Sequence, residues 1–288
     1  MTNRCIMTRY ADFVNHYPWR RRLRNRLRDS AVFLLSLRAA SPAGRGAVRI
    51  LCYHHLFDDE RAGFDRQLGY MKNLGEFLSL DDGVALLRSG NVIDGNYFCF
   101  TFDDGYRNCL SNAVPILHEH GATAAFCVVS ELAGLAPGAD PDPALLTRIL
   151  GFSPDPNRWR VEFLSWEECR QMRHAGMTIV AHSLTHRRLT SLTPAEARAE
   201  MRGSLEDVRT QTGERSLHFA SPFGRPVRDF LPDRDPDLAR EVGLHSFLTL
   251  ESGPNCRGAD PFRLKRNHLL PWWGDFQMKY FFAPACPE

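Results

Sequence analysis

Short apolar runs that end in polar residues recur from residue 48 to about residue 250, with amphipathic stretches between them. The run from Tyr97 to Phe102 is aromatic, β-branched or small and apolar throughout, which is typical of a parallel strand covered on both faces. Similar runs at 48–53, 123–129, 179–181, 217–220 and 244–250 predict further strands. The alternation predicts an α/β fold with a parallel sheet, in which the side chains that follow the strands gather at one edge.

The run that begins at Tyr97 stops at two adjacent carboxylates and a glycine, Asp103, Asp104 and Gly105. Adjacent side chains point in different directions where a strand ends, so the two acids need not share one partner. Gly105 lets the chain turn without a Cβ clash. One carboxylate could therefore hold a metal ion while the other handles a proton.

Two histidines, His182 and His186, directly follow a second apolar run. Together with one aspartate they would supply three protein ligands and leave coordination positions for water and substrate, as catalytic zinc sites do. Either motif alone is a weak signal. Their order and their shared position after strands make the combination specific.

The segments 101–105 (TFDDG) and 182–186 (HSLTH) resemble the motifs of the NodB-homology polysaccharide deacetylases, carbohydrate esterase family 4. The resemblance implies a deformed (β/α) barrel of seven or eight strands over residues 48 to about 270. It implies that Asp103 is the catalytic base and that Asp104, His182 and His186 bind a divalent metal, with Zn²⁺ the first choice. The implied reaction is hydrolysis of a linear amide, which removes N-acetyl groups from an N-acetylhexosamine-containing glycan, glycolipid or activated sugar.

The first strand ends in Tyr53 and His54, as it does in the branch of that family that resembles the poly-N-acetylglucosamine deacetylases. The resemblance implies that His54 is the general acid that protonates the leaving amine. His55 and His268 are alternative acids, and a purely structural role for His54 at the end of the strand is a further alternative.

The segment 217–224 (LHFASPFG) resembles a third motif of the same branch. This resemblance implies that Pro222, Phe223 and Gly224 contact substrate, with a backbone N–H near Phe223 facing the developing oxyanion. Ala220 stands where another branch has an arginine that steadies the base, so a different cation is required. Arg266 is the candidate for orienting Asp103, and an ordinary surface arginine is the alternative.

The charge distribution separates a basic head from a mildly acidic body. Residues 1–49 carry a net charge of +9, which leaves −7 for the rest of a chain whose total is +2. Trp19, Leu23 and Leu27 recur every four residues among arginines and predict a basic amphipathic helix. We therefore divide the chain into an N-terminal extension, 1–46, and a NodB-like deacetylase domain, 47–288.

The apolar run 31–37 after this helix is much shorter than the ~20 residues that span a bilayer. Residues 19–38 are expected either to contact an anionic inner membrane peripherally or to form a solvated helix packed on the domain. A signal peptide cleaved in 39–43 fits less well. Basic charge confined to the head also argues against nucleic-acid binding.

The eight cysteines include no C-x-x-C pair, and three lie in strand-like runs. They favour reduced core thiols and a cytoplasmic protein, with a disulfide in an exported protein as the alternative.

The segment 135–160 contains five prolines and is predicted to be a long loop or a small insertion on the face of the site, and Trp272 or Trp273 is a candidate for sugar stacking. Three other functions stay open: a catalytically inactive sugar-binding relative, a membrane-associated scaffold, and a deformylase or O-deacetylase.

Overall fold

A mainly parallel sheet forms where the apolar runs predict strands. The computed structural model describes residues 5–15, 19–38, 46–136, 138–153, 155, 159–215 and 217–286. Its strands are β1 (Cys5–Ile6), β2 (Ala47–Tyr53), β3 (Glu76–Phe77), β4 (Asn96–Phe102), β5 (Ala124–Val128), β6 (Trp159–Arg160), β7 (Thr178–Ala181), β8 (His218–Ala220), β9 (Ser246–Leu248), β10 (Asn255–Cys256) and β11 (Arg266–His268).

Helices connect these strands in the alternating order that the sequence predicts. They are α1 (Tyr10–Asn15), α2 (Trp19–Ser36), α3 (Arg61–Lys72), α4 (Leu80–Arg88), α5 (Asn108–Glu119), α6 (Ser130–Ala133), α7 (Pro143–Leu150), α8 (Trp166–His174), α9 (Pro194–Thr212), α10 (Asp235–Val242) and α11 (Asp275–Phe282). Capping boxes begin two of them: Ser165 caps α8 with Glu168, and Thr193 caps α9 with Glu196.

The sheet curls until its two ends almost meet. Seven described strands run parallel in the order β11, β2, β4, β5, β7, β8, β9, and β10 pairs antiparallel with β2. A bridge between Leu248 of β9 and Leu264, which precedes β11, links the ends. This arrangement confirms the predicted α/β deformed barrel.

Alternation along the strands divides their side chains between two cores. Ile50 and Cys99 of one face pack in the same cluster as Val84 of α4. Phe100 and Phe102 of the other face belong to a larger cluster that includes residues of the surrounding helices. The central strands β4 and β5 thus bury mainly apolar side chains on both faces, and the two aspartates come directly after β4.

The basic helix α2 packs against α11. Val32 and Ser36 are buried, the ring of Phe33 meets Phe276 edge-on at 5.1 Å, and the Arg28 guanidinium lies 5.5 Å from the Trp273 ring centroid. The expected helix is therefore present and is attached to the barrel. The proposed boundary at residue 46 stays a prediction, and the possible cleavage region 39–43 lies outside the described residues.

Of the two alternatives for 135–160, the small insertion is the one that fits, because the segment contains helix α7. This helix begins because Asp142 accepts hydrogen bonds from the N–H groups of the first turn and Pro143 occupies the first helical position. The expectation that all cysteines are reduced is wrong, since Cys256 and Cys286 form a disulfide. The other six cysteines are free, five of them buried.

Candidate active site

The two aspartates that follow β4 face different partners. Asp103 accepts two hydrogen bonds from Arg266, at 2.7 Å to Oδ1 and 2.8 Å to Oδ2. Asp104 faces His182 and His186 instead. Asp104 adopts the left-handed φ of +71°, which an L residue rarely takes, and this turn separates the directions of the two side chains.

Asp104, His182 and His186 converge on one buried point. The Nε2 atoms of His182 and His186 lie 3.4 and 3.2 Å from Oδ1 of Asp104. His182 contacts the carbonyl oxygen of Ala220 through Nδ1 at 2.8 Å, and a ring nitrogen that donates there leaves a lone pair on Nε2 of the neutral imidazole. A lone pair facing a carboxylate oxygen is unfavourable without a cation, so this donor set fits a divalent metal.

The electrostatics of Asp104 agree with this interpretation. Burial acts to raise its pKa, but the neighbouring His182 and His186 imidazoles together outweigh burial and hold the pKa well below the usual range. Asp104 is therefore an anion throughout the physiological pH range. An ionised carboxylate beside two imidazoles is the form that binds a metal.

The loop that carries the histidines is held by an acid that the sequence analysis missed. Glu200 of α9 accepts hydrogen bonds from the backbone N–H groups of Leu184 and Thr185, at 2.9 and 3.0 Å, and from the Thr185 hydroxyl at 2.6 Å. His186 has a left-handed φ of +54°, and its N–H donates to the Ser183 hydroxyl. An acid on the buried face of an amphipathic helix was the available sequence signal for Glu200.

Arg266 binds Asp103 in the barrel interior and is only 1% exposed, so the surface-arginine alternative is wrong. Its Nε also donates to the carbonyl oxygen of Thr249, and Nη1 donates to the Thr101 hydroxyl. Burial acts to raise the pKa of Asp103, but the charge and hydrogen bonds of Arg266, together with the nearby His182 and His54, outweigh burial and hold that pKa below its usual range. Asp103 is thus ionised and fixed in orientation.

A thiol completes the surroundings of Asp103. The Cys52 Sγ lies 3.4 Å from Oδ2 of Asp103. Burial raises the pKa of Cys52 well above its ordinary value, so the group stays a thiol and donates to the carboxylate. Sequence analysis treated Cys52 only as a core residue, because nothing in the local pattern indicates this contact.

The three histidines considered as the acid occupy different surroundings. A ring nitrogen of His54 lies within 4.8 Å of a carboxylate oxygen of Asp103, and its ring meets that of His268 edge-on at 4.9 Å. His55 is buried, and its Nδ1 lies 3.1 Å from Glu60. Burial holds the pKa of His54 below its ordinary value, because the negative charges of Asp104 and Asp103 offset burial only in part.

The Pro222–Phe223–Gly224 segment borders the histidines. The Phe223 ring lies 4.7 Å from the His186 ring, and the Arg188 guanidinium lies 4.3 Å from its centroid. Phe223 and Gly224 have left-handed φ values of +60° and +66°. In the part of the chain that the structure describes, no group accepts a hydrogen bond from the Phe223 N–H. That N–H is available to a ligand.

Comparison with known proteins identifies the family. A family model described as polysaccharide deacetylase matches residues 93–245, which include Asp103, Asp104, His182 and His186. The chain belongs to the polysaccharide deacetylase family. Its Bacillus subtilis (strain 168) relative YxkH, provisionally named a polysaccharide deacetylase, is 23% identical over 228 residues, covering 77% of this chain and 71% of YxkH.

Two solved structures share the fold of this polysaccharide deacetylase family member. The Streptococcus pyogenes deacetylase PplD in complex with acetate has a TM-score of 0.63 and 22% identity, covering 79% of this chain and 94% of PplD. IcaB from Ammonifex degensii has a TM-score of 0.64 and 20% identity, covering 83% of this chain and 98% of IcaB. At these identities the likeness concerns the fold, and the chemistry must be argued from the residues of the site.

Proposed function

We propose that the chain is a metal-dependent carbohydrate N-deacetylase, with residues 47–288 as its catalytic domain. It would remove the acetyl group from an N-acetylhexosamine in a glycan, glycolipid or activated sugar and release acetate and a free amine. One observation carries the proposal: the Asp104, His182 and His186 group lies beside an ionised Asp103 at the carboxyl edge of the sheet.

Asp104, His182 and His186 would hold the cation, and a set of one carboxylate and two imidazoles favours Zn²⁺. When bound, a divalent cation supplies polarisation of the acetamide carbonyl and acidification of water. The protein residues around it would then direct proton transfer.

Asp103 acts as the base in this proposal. Water forms a bond to the acetamide carbon while its proton passes to the Asp103 carboxylate, which Arg266 keeps ionised and oriented. The free N–H of Phe223 would donate to the developing oxyanion.

His54 acts as the acid. The C–N bond breaks only when its nitrogen receives a proton, because an amine anion is too basic to leave, and His54 as imidazolium would supply that proton. The proximity of His54 to Asp103 favours it over His55, whose Nδ1 is engaged by Glu60.

The direct test measures bound metal and acetate release from N-acetylhexosamine glycans, glycolipids and nucleotide sugars. Wild type is expected to hold about one equivalent of metal and to release acetate. Asp104→Ala should lose both, whereas His54→Ala should keep the metal and lose most turnover. The control is Asp82→Ala, in the first turn of α4 within a like-patterned Asp81–Asp82–Gly83 segment, and it should behave as wild type. Formate release, or acetate release only from O-acetyl sugars, would assign one of the alternative reactions.

We also propose that residues 19–38 contact an anionic membrane surface from the cytoplasmic side. Trp19, Leu23, Leu27 and Leu34 are 48–64% exposed on a helix rich in arginine, which supports interfacial binding. None of the described helices has the length and apolar character needed to cross a bilayer. Salt-sensitive co-sedimentation with anionic vesicles, weakened by Leu23→Glu, is expected; equal binding of the variant would contradict the proposal.

A further inference from the structure

A cleft of about 320 Å³ connects the candidate site to the N-terminal helix. Its lining includes Asp104, His54 and His268, together with Arg24 and Arg28 of α2 and Arg225 of the loop after β8. This volume is in the range of small-molecule sites. The basic extension therefore forms part of the wall of the cleft in which the proposed chemistry would occur.

The charged groups that line the cleft are predominantly positive. Its three arginines face one acid, Asp104, whose charge is committed to His182 and His186. Positive charge in a cleft with low-dielectric walls concentrates anions there. The lining is therefore suited to a ligand that carries negative charge.

The three arginines differ in whether an acidic side chain of the protein already accepts hydrogen bonds from the guanidinium group. Arg28 donates from Nε and Nη2 to Asp29 at 3.2 and 3.1 Å and lies over the Trp273 ring. Among the described residues, no acidic side chain pairs with Arg24 or Arg225. Two guanidinium groups at the cleft thus have donors available.

Arginines near Arg225 in the chain pair with carboxylates, whereas Arg225 pairs with none in the described part of the chain. Asp229 accepts from Arg188 Nε at 2.7 Å and from the backbone N–H of Arg225 at 3.1 Å. Arg234 likewise pairs with its neighbour Asp235 at 2.7 Å. Arg225 lines the cleft, and among the described residues its guanidinium has no such partner, although a carboxylate is bound to its own backbone.

We propose that Arg24 and Arg225 bind a phosphoryl group on the N-acetylhexosamine substrate; this inference rests on the function proposed above. Guanidinium groups bind phosphate oxygens through paired N–H donors. Two unpaired cations match the charge of about −1.5 to −2 on a phosphate monoester, whereas a uronate offers −1 and a chitin-like polymer offers none. The phosphoryl group could belong to a sugar phosphate, a nucleotide diphosphate or a lipid diphosphate.

The kinetic test compares N-acetylglucosamine 1-phosphate with the neutral methyl N-acetylglucosaminide. Arg24→Gln and Arg225→Gln should each raise KM for the phosphorylated sugar about 10- to 100-fold, the range expected for losing a charged hydrogen bond, with kcat unchanged. KM for the neutral sugar should not change. Arg26→Gln is the matched control, since Arg26 lies on the same exposed helix but does not line the cleft. Unchanged KM values in both cleft variants would overturn the proposal while leaving the deacetylase function intact.

A binding measurement separates this proposal from the function on which it rests. Calorimetry with Asp103→Asn/Arg266→Met protein needs no turnover and leaves no buried charge unpaired, and the phosphorylated sugar should bind at least about tenfold more tightly than the neutral sugar. Adding Arg24→Gln or Arg225→Gln should remove the difference. Equal affinity for the two sugars would refute the phosphoryl site even if acetate release is never observed. The same binding measurement with nucleotide-diphosphate and prenyl-diphosphate N-acetylglucosamine then shows which kind of phosphoryl donor binds more tightly.

Discussion

Replacing Arg266 with methionine would leave the charge of Asp103 buried without its partner. The guanidinium holds both carboxylate oxygens, and the two residues are only 1% and 4% exposed. Removing one member of a buried ion pair costs about 3–5 kcal/mol, because the remaining charge is uncompensated. We expect Arg266→Met to lower the free energy of unfolding by about this amount at pH 7. Acetate release should also be lost, since Asp103 would no longer be held in place.

The effect should depend on pH with a defined sign. In wild type the folded pKa of Asp103 is below its unfolded value, so its stabilisation is present at neutral pH and is lost only as pH falls through that depressed pKa. Without Arg266, burial raises the folded pKa of Asp103 above the unfolded value. Stabilisation from a raised pKa is present at low pH and is lost as pH rises. The difference in unfolding free energy between wild type and Arg266→Met should therefore be smaller at pH 5 than at pH 7.

Urea unfolding followed by tryptophan fluorescence measures the free energy of unfolding of wild type and Arg266→Met at pH 7 and at pH 5. The double variant Asp103→Asn/Arg266→Met is the control, and it should recover most of the lost stability because no buried charge remains. A loss below about 1 kcal/mol in Arg266→Met would refute the reasoning, since surface pairs contribute that little. A difference from wild type that grows between pH 7 and pH 5 would also contradict it.

Three further perturbations test separate parts of the structure. Glu200→Gln should weaken zinc binding about 10- to 100-fold in a chelator competition, because the Glu200 carboxylate holds the loop that carries the histidines. The control Glu206→Gln, at an exposed position of the same helix, should leave zinc affinity unchanged. Equal zinc affinities of the two variants would contradict this role of Glu200. Cys256→Ser should lower the free energy of unfolding by about 2–4 kcal/mol without reductant, unlike the free-thiol control Cys5→Ser. This disulfide conflicts with the predicted cytoplasmic location, because disulfides persist in oxidising compartments; free thiols at Cys256 and Cys286 in freshly lysed cells would favour the cytoplasm, and an oxidised pair would favour export. Gly224→Ala should lower stability by more than about 1 kcal/mol, since φ is +66° and a Cβ would lie 2.7 Å from a backbone nitrogen; an unchanged melting temperature would argue against this.

Much of the candidate site could be predicted because its residues immediately follow buried strands. Parallel strands bring their carboxyl ends to one edge, so Asp104 and His182 become neighbours whatever the intervening helices and loops do. Capping patterns such as Ser165 with Glu168 were similarly readable, because both partners are close in sequence. The sequence pattern was sufficient where the position of a residue depends on its near neighbours in the chain, as it does at the end of a strand or the start of a helix.

Contacts between distant segments could not be predicted from pattern. Arg266 follows Asp103 by 163 residues, and it became a candidate only because Ala220 lacks the cation found in a related branch. The pairing of Cys256 with Cys286 depends on where α11 packs. The position of Arg24 in the cleft depends on how α2 docks on α11, since an amphipathic helix pattern does not indicate which surface the helix will cover.

The most direct test of the central claim is a zinc titration of chelator-stripped protein, with acetate release from the best N-acetylhexosamine substrate as the readout. We expect stripped wild type to be inactive, its activity to return with zinc and saturate near one equivalent, and Asp104→Ala to gain no activity. Full acetate release by stripped protein, or restoration of activity in Asp104→Ala, would contradict the claim.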